Sequence, residues 1–195
     1  MKQFVARLGL ALGRYRLVTP APTDRVMVLV AAPHTSNWDF VLMLLMAWKA
    51  GLSPRWLGKR EMFDGVLGPL FRRLGGVTVD RNNPAGLVDD LVAQARTEDS
   101  LCIVIPAEGT RSKGEYWKSG FYRIAKMAEI PIVLSYLDGP SRTGGFGPHI
   151  VPSDDVAADM DLVRAFYADK AGVKPKNKTE PRLREEGAAV TGPAA

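Results

Sequence analysis

The alternation of short apolar runs with longer helical patterns constrains the fold of this chain more than any other feature. Strands are predicted at 26–31, 54–57, 76–79, 100–105 and 131–136. Helices are predicted at 38–48, 62–74, 84–97, 121–129 and 156–168. Because strands and helices interleave, and because the longer strands are apolar at nearly every position, we expect a mostly parallel sheet flanked by helices. The predicted fold class is therefore α/β.

The length of the chain limits the number of domains. A chain of 195 residues can bury one proper core but hardly two. We therefore predict a single domain over residues 1–170, in which 139–152 is loop-like with a short strand. Residues 171–195 are polar and contain prolines, and we expect them to form a mobile tail.

The N-terminal segment 3–15 has the spacing of an amphipathic helix. Its apolar face consists of Phe4, Leu8, Ala11, Leu12 and Tyr15. Basic residues lie beside this face, and the whole chain has 26 basic against 21 acidic residues, a net charge of +5. Two interpretations follow: residues 1–18 form a helix that lies on an anionic membrane surface, or the helix packs its apolar face on the domain.

Several classes of protein are disfavoured by the sequence. The apolar run 40–48 is far shorter than the roughly 20 residues of a spanning helix, so we expect no transmembrane segment. Arg7 interrupts the first apolar run, which disfavours a secretory signal peptide. Nucleic-acid binding is disfavoured because aromatic stacking platforms do not interleave with the basic residues. With two histidines and one cysteine, the chain is not expected to bind a metal ion.

A histidine and an aspartate flank the predicted turn between the first long strand and its helix. His34 follows the strand, and Asp39 lies five positions later, at the start of the helix. A carboxylate that accepts a hydrogen bond from one imidazole nitrogen orients the ring and leaves the other nitrogen free to take a proton. Such a pair can activate a substrate hydroxyl as a general base, although a helix-capping aspartate beside an unrelated histidine would have the same spacing.

No protein nucleophile is predicted to accompany this pair. The chain lacks a Gly-x-Ser-x-Gly elbow, and Cys102 lies in the apolar run 101–105, where we expect a buried, unreactive thiol. A hydrolase that forms an acyl-enzyme is therefore disfavoured.

Basic residues follow other predicted strands. The segment 107–112 contains Gly109 and Arg111, which suit a tight turn and a bidentate grip on phosphate, although a polar surface turn would look the same. Arg81 and Lys59 also come at or after strand ends. Because ligands of open α/β sheets bind beyond the carboxyl ends of the strands, His34, Arg81 and Arg111 are expected to converge on one crevice.

In this order and spacing, the segments resemble the glycerolipid acyltransferases, the lysophosphatidate acyltransferase-like enzymes. The first block of that family is a histidine and an aspartate separated by four residues, matched by His34 and Asp39. Its second block, Gly-x-x-x-Asp-Arg, is matched by 76–81, and its third, Phe-Pro-Glu-Gly-Thr-Arg-Ser, is matched from 108 to 112. A fourth, proline-centred block resembles 130–133.

The resemblance runs from about residue 28 to 134 and has two departures. Pro33 stands where an asparagine often precedes the histidine, and Pro106-Ala107 replaces Phe-Pro before the glutamate. The pair itself is intact in spite of both departures.

The resemblance implies an O-acyltransferase with the fold of that family. A fatty acyl group would pass from a coenzyme A or acyl carrier protein thioester to a hydroxyl of a lyso-glycerolipid such as 1-acyl-glycerol-3-phosphate. His34 would deprotonate the hydroxyl and Asp39 would hold His34, while nearby donors would stabilise the oxyanion. Arg111 and Arg81 would bind the acceptor phosphate, with Lys59 as a further candidate.

Other residues receive roles from the same resemblance. Glu108, Gly109 and Thr110 would shape the acceptor pocket, and either 40–45 or 62–71 would line an apolar groove for the acyl chain. The protein would need no resident cofactor and would bind peripherally on the inner, cytoplasmic face of the cell membrane. Two alternatives stay open: the same chemistry on another acceptor (a lysophospholipid, an acylated amino acid or a glycolipid), or a non-catalytic lipid-binding module.

Overall fold

The computed structural model of the chain describes residues 1–79 and 84–187, and this part contains seven strands and seven α-helices. The strands are β1 Arg16–Leu17, β2 Val26–Ala32, β3 Pro54–Lys59, β4 Gly76–Val79, β5 Leu101–Ile105, β6 Ile132–Asp138 and β7 Thr143–Ile150. The helices are α1 Lys2–Leu12, α2 Asn37–Lys49, α3 Arg60–Asp64, α4 Gly68–Arg73, α5 Pro84–Thr97, α6 Gly120–Ala128 and α7 Val156–Tyr167. Two 3₁₀ turns follow, Pro175–Asn177 and Arg184–Gly187.

The strands form one sheet in the order β1-β7-β6-β2-β5-β3-β4. Every described pairing is parallel except that of β6 with β7, which is antiparallel. Helices cover both faces, because the side chains of each buried strand point alternately to the two sides. In β2, Val28 and Val30 pack with α5, α6 and α7, whereas Met27 and Leu29 pack with α2, α3 and α4. The predicted α/β class with a mostly parallel sheet is confirmed.

The centre of the sheet fixes where the site lies. β2 and β5 are parallel neighbours, and Val30 pairs with Ile105 at their carboxyl ends. His34 and Arg111 come four and six residues after these paired positions. The two loops that carry them therefore leave the sheet side by side, as the rule for open α/β sheets requires.

Two predicted elements differ from the structure. The helix expected at 62–74 is divided into α3 and α4. Gly65 ends α3 in an extended conformation, and Gly68 lies so close to Phe63 that a Cβ atom would be 2.0 Å from the Phe63 carbonyl oxygen. Only glycine permits this tight turn. The helix expected at 3–15 ends at Leu12, and the short strand β1 follows it.

The segment 139–152, expected to be loop-like with a short strand, contains the eight-residue strand β7. Asp138 holds the connection to β6, since its Oδ2 accepts hydrogen bonds from Ser141 N and Oγ. Gly144 and Gly145 pack against Met46 and Thr19, where a Cβ atom would clash. These glycines make the strand look like a loop in the sequence.

The segment expected to form a mobile tail packs against the domain over residues 171–187. Gly172 bridges to Asp138, and Leu183 is buried in the main core. Thr179 is also buried, where its Oγ1 accepts a hydrogen bond from Gly114 N and its carbonyl oxygen accepts one from Trp117 Nε1. Apart from that of Leu183, these contacts involve polar and backbone groups, which give no hydrophobic pattern. Residues 188–195 lie outside the described part of the chain.

Helix α1 packs on α2 through the face opposite to its predicted apolar stripe. Ala6 and Leu10 are buried, whereas Phe4, Leu8 and Leu12 are 72%, 54% and 78% exposed. Most of the predicted stripe therefore faces away from α2, whereas Tyr15, beyond the end of α1, packs beside Leu10, Leu42 and Met46. Nowhere in residues 1–79 or 84–187 is a helix long and apolar enough to span a membrane.

Candidate active site

The loop after β2 is held by the first turn of α2. Ser36 caps the helix, and its Oγ accepts a hydrogen bond from Trp38 N. Asp39 Oδ2 accepts hydrogen bonds from Thr35 N and Ser36 N, at 2.5 and 2.6 Å. A carboxylate at the N-terminus of a helix is also favoured by the helix dipole. Asp39 therefore caps α2 and holds the loop after β2 in place.

His34 stands over this carboxylate. Its Nδ1 lies 3.6 Å from Asp39 Oδ2, which is contact distance but longer than a hydrogen bond. Its backbone N–H donates to Glu108 Oε1 at 2.8 Å. The histidine is therefore tied to the β5 loop through its backbone and faces Asp39 through its ring.

The electrostatics of the histidine follow from burial. The imidazole is 13% exposed. Burial, and then the positive charge of Arg111, lower the pKa of His34 to about 4. The ring is consequently neutral at pH 7, so its contact with Asp39 is not an ion pair, and it is available to accept a proton.

The two carboxyl groups beneath the histidine are strongly buried. Burial raises the pKa of Glu108 to about 7, although the His34 backbone N–H opposes the shift. Burial also raises the pKa of Asp39, against the hydrogen bonds from Ser36 and Thr35. Among the described residues, neither Asp39 Oδ1 nor Glu108 Oε2 has a hydrogen-bond partner. Buried polar atoms left in this state cost stability, and such costs concentrate at functional sites.

The loop after β5 turns sharply and exposes its arginine. Gly109 has φ +65°, and its N–H donates to Pro106 O. A Cβ atom there would lie 2.9 Å from Lys118 Cγ, so both conformation and space favour glycine. Beyond the turn, Arg111 is exposed and reaches the opening in which His34 stands.

A largely apolar cavity of about 300 Å³ extends from this opening beneath α2. Its polar end contains His34, Asp39 and Arg111. Its apolar wall contains Leu29, Phe40, Met43, Trp56, Met62, Phe71, Val104 and Phe146. The wall comes from α2, α3, α4 and the sheet, and includes residues of both predicted groove segments, 40–45 and 62–71. A hydrocarbon chain fits such a wall, and a polar reacting group fits its mouth.

The remaining predicted site residues lie in other positions. Glu108, Gly109 and Thr110 line a second, polar cavity of about 400 Å³ on the other side of the β5 loop. Lys59 ends β3 at the same edge of the sheet but is not part of the wall of the first cavity. Arg81 lies outside the described residues.

Thr35 also holds the histidine loop in place, a contribution that no sequence motif predicted. This residue is 1% exposed. Its Oγ1 accepts a hydrogen bond from Lys174 N, and its carbonyl oxygen accepts one from Asn177 Nδ2. The segment after residue 171 thus helps to fix the histidine loop through Thr35. In the sequence, only the position of Thr35 next to His34 indicates its importance, because Lys174 and Asn177 are more than 130 residues away.

Comparison with known proteins points to one family. Residues 17–136, more than half of the chain and including both loops, match the family model described as Acyltransferase. No curated protein matches the chain. The crystal structure of PlsC, the 1-acyl-sn-glycerophosphate (LPA) acyltransferase from Thermotoga maritima, is similar with a TM-score of 0.64 at 14% identity. That match covers 86% of this chain and 77% of the other, and it shows a common fold.

Proposed function

Because the chain belongs to the acyltransferase family, as its resemblance to the glycerolipid acyltransferases predicted, we propose that it acylates a lyso-glycerolipid such as 1-acyl-glycerol-3-phosphate. The donor is a fatty acyl thioester of coenzyme A or of acyl carrier protein. One observation carries the proposal: a largely buried histidine and an exposed arginine share the mouth of an apolar cavity. The name of the Thermotoga maritima enzyme, which specifies a 1-acyl-sn-glycerophosphate acceptor, supports the choice of acceptor.

His34 is the general base of the proposed reaction. Its Nε2 takes the proton of the acceptor hydroxyl as the oxygen attacks the thioester carbonyl carbon. The tetrahedral oxyanion then collapses, the carbon–sulfur bond breaks, and the leaving thiolate takes the proton from the imidazolium. The products are an ester and a free thiol, so no acyl-enzyme is formed and no cofactor is consumed.

Asp39 orients the base. Its carboxylate faces Nδ1, which favours the tautomer with the proton on that nitrogen and leaves Nε2 free. The hydrogen bonds from Thr35 and Ser36 hold the carboxylate in place during the reaction. A small closure of the 3.6 Å separation completes the hydrogen bond when the imidazolium forms.

Arg111 binds the acceptor phosphate, since its exposed guanidinium offers paired donors beside the base. Arg81 and Lys59 are further candidates for this role. Glu108 acts from beneath the site, through the His34 backbone, while Gly109 and Thr110 form the turn that presents Arg111. The fatty chain of the donor lies along Phe40, Met43 and the other apolar walls of the cavity.

The protein works peripherally, on the cytoplasmic face of the cell membrane where acyl donors and lyso-lipids meet. The exposed stripe of α1, with Phe4, Leu8 and Leu12, supports this placement. Lys2 and Arg7 belong to the same helix and favour anionic lipid.

The test follows free thiol release from a long-chain acyl-coenzyme A in the presence of lysophosphatidate. We expect release that requires the acceptor, is weaker with glycerolipid acceptors that lack a phosphate, and is lost in His34→Ala. Acyl carrier protein thioesters and a panel of lyso-lipids extend the assay to the other donors and acceptors. A folded wild-type protein that consumes no thioester with any of them would instead be a lipid-binding module.

A further inference from the structure

The turn between α3 and α4 exposes apolar side chains in a compact group, the α3–α4 patch. It consists of Met62, Val66, Leu67 and Leu70. Val66 is 99% exposed, and the other three are between 36% and 56% exposed. On the opposite face of the sheet, apolar side chains such as Leu162 of α7 and Met127 of α6 are exposed on separate helices, as is usual for a protein surface. Several exposed apolar side chains carried by one short segment are a candidate interaction surface.

The patch is continuous with the wall of the cavity. Met62 belongs to both, and Phe71 lines the cavity one position after Leu70. On their inner side, Phe63 and Phe71 pack against Trp56 at ring-centroid distances of 5.7 and 5.9 Å. The two short helices therefore present apolar side chains to the surroundings on one side and to the cavity on the other.

The turn that carries the patch is firmly held. Gly68 is buried, and its N–H donates to Gly65 O at 2.8 Å. The close approach of Gly68 to the Phe63 carbonyl group leaves no room for a side chain. Val66 and Leu67 are thus held outward by a tight turn in spite of the cost of exposing them to water.

Basic side chains surround the patch. Lys59, Arg60, Arg72 and Arg73 are exposed within or next to the two helices. The acidic side chains in the same segment are Glu61 and Asp64, so positive charge predominates. The α3–α4 patch and the cations around it are complementary to a bilayer with anionic head groups. The apolar side chains can reach the acyl region of such a bilayer while the basic side chains stay among the lipid phosphates.

We propose that the α3–α4 patch inserts into the surface of an anionic bilayer and that lipid chains enter the cavity past Met62 and Phe71. The second part of this proposal rests on the proposed function. α1 and α3–α4 contribute to the same layer of helices, on either side of α2, so the two exposed apolar surfaces can face one membrane.

A single labelled position tests insertion directly. The chain has one cysteine, Cys102, which is buried and whose thiol pKa burial raises to about 12. Val66→Cys can therefore be labelled alone with an environment-sensitive fluorophore, with Leu162→Cys as the matched exposed position on the opposite layer. Vesicles containing phosphatidylglycerol should shift the emission of the label at 66 to the blue and leave the label at 162 unchanged. Equal responses at both positions would overturn the proposal.

Substitution tests the contribution of the patch to binding. Val66→Asp with Leu67→Asp should weaken sedimentation with anionic vesicles by at least about tenfold, whereas Leu162→Asp should have no effect. The double variant should also acylate vesicle-borne acceptor slowly but keep its rate on a short-chain acceptor dispersed as monomers. If it binds vesicles like the wild type but loses affinity for acyl carrier protein, the patch is a protein-docking site and the proposal is wrong. If the protein transfers no acyl group to any acceptor while the label at position 66 still responds to vesicles, the insertion of the patch is supported and the proposed function is wrong.

Discussion

The loops after β2 and β5 lie side by side at one edge of the sheet, yet they are built in opposite ways. The β2 loop is buried and tied by hydrogen bonds to Asp39, Glu108 and Asn177. The β5 loop turns at Gly109 and leaves the Arg111 side chain exposed. A group that moves a proton must be fixed and desolvated, whereas a group that captures an anion must be accessible before the anion arrives. In the proposed reaction, the first loop would therefore carry out the chemistry and the second would bind the acceptor.

The largest expected effect comes from the buried loop. His34→Ala should lower kcat by roughly 10²–10⁴-fold with little change in KM, because it removes the base without removing a binding contact. Steady-state thiol release with wild-type and variant protein measures both constants. The other histidine of the chain, His149, is exposed near Asp24, and His149→Ala is the matched control. If His34→Ala and His149→Ala lowered kcat by the same factor, the buried loop would have no special part in the chemistry and the contrast between the two loops would be wrong.

A smaller effect concerns the carboxyl group that joins the loops. Glu108 has a pKa raised from 4.5 to about 7 in the folded protein, so the unfolded chain releases this proton first as pH rises. Folding stability contributed by this group is therefore lost between pH 4.5 and 7, by about 3 kcal/mol, because each pKa unit is worth about 1.4 kcal/mol. Glu108→Gln removes this titration.

Denaturant unfolding of the wild type and Glu108→Gln between pH 4.5 and 8 tests whether folding stability changes with pH in the expected direction. The stability of the variant relative to the wild type should rise with pH through this window and then level off. Glu108→Ala, which also removes the acceptor for His34 N–H, should be less stable than Glu108→Gln at every pH. Parallel stability curves for the wild type and Glu108→Gln would mean that the carboxyl is not buried as described.

The sequence predicts much of this arrangement where hydrophobic burial decides the structure. The apolar runs 26–31 and 100–105 indicate two buried strands, and the rule for open sheets then brings the residues after them to one edge. The apolar runs do not show which strands are neighbours; the structure adds that these two strands pair, so that the loops of His34 and Arg111 are adjacent.

The other features of the site depend on contacts that leave no periodic pattern in the sequence. The role of Glu108 in shaping the acceptor pocket stays a prediction, and no pattern indicated that its Oε1 accepts a hydrogen bond from a backbone amide 74 positions away. The support of Thr35 by Lys174 and Asn177 is equally distant and uses backbone groups. β7 was hard to find because glycines occupy positions where strands usually show bulky side chains.

The smallest expected effect tests whether Arg111, in the exposed β5 loop, changes the pKa of His34 in the buried β2 loop. Arg111→Met should raise KM for a phosphorylated acceptor by about tenfold or more, since a charge-assisted hydrogen bond contributes about 1.5–3 kcal/mol. The same variant should raise the pKa of His34 above its value of about 4, because the positive charge of Arg111 contributes to that lowering. Proton NMR titration of the imidazole measures the shift, and His149→Gln assigns the signals.

Lys113→Met is the control, because Lys113 is exposed in the same loop but does not line the cavity. It should leave both KM and the His34 titration unchanged. Inorganic phosphate added to the wild type should raise the pKa of His34 in the direction of Arg111→Met, since a bound dianion offsets the arginine charge. Binding of a phosphorylated acceptor would then increase the basicity of His34, the proposed general base. If Arg111→Met lowers kcat as strongly as His34→Ala while the His34 titration stays the same, the division of roles between the two loops is wrong.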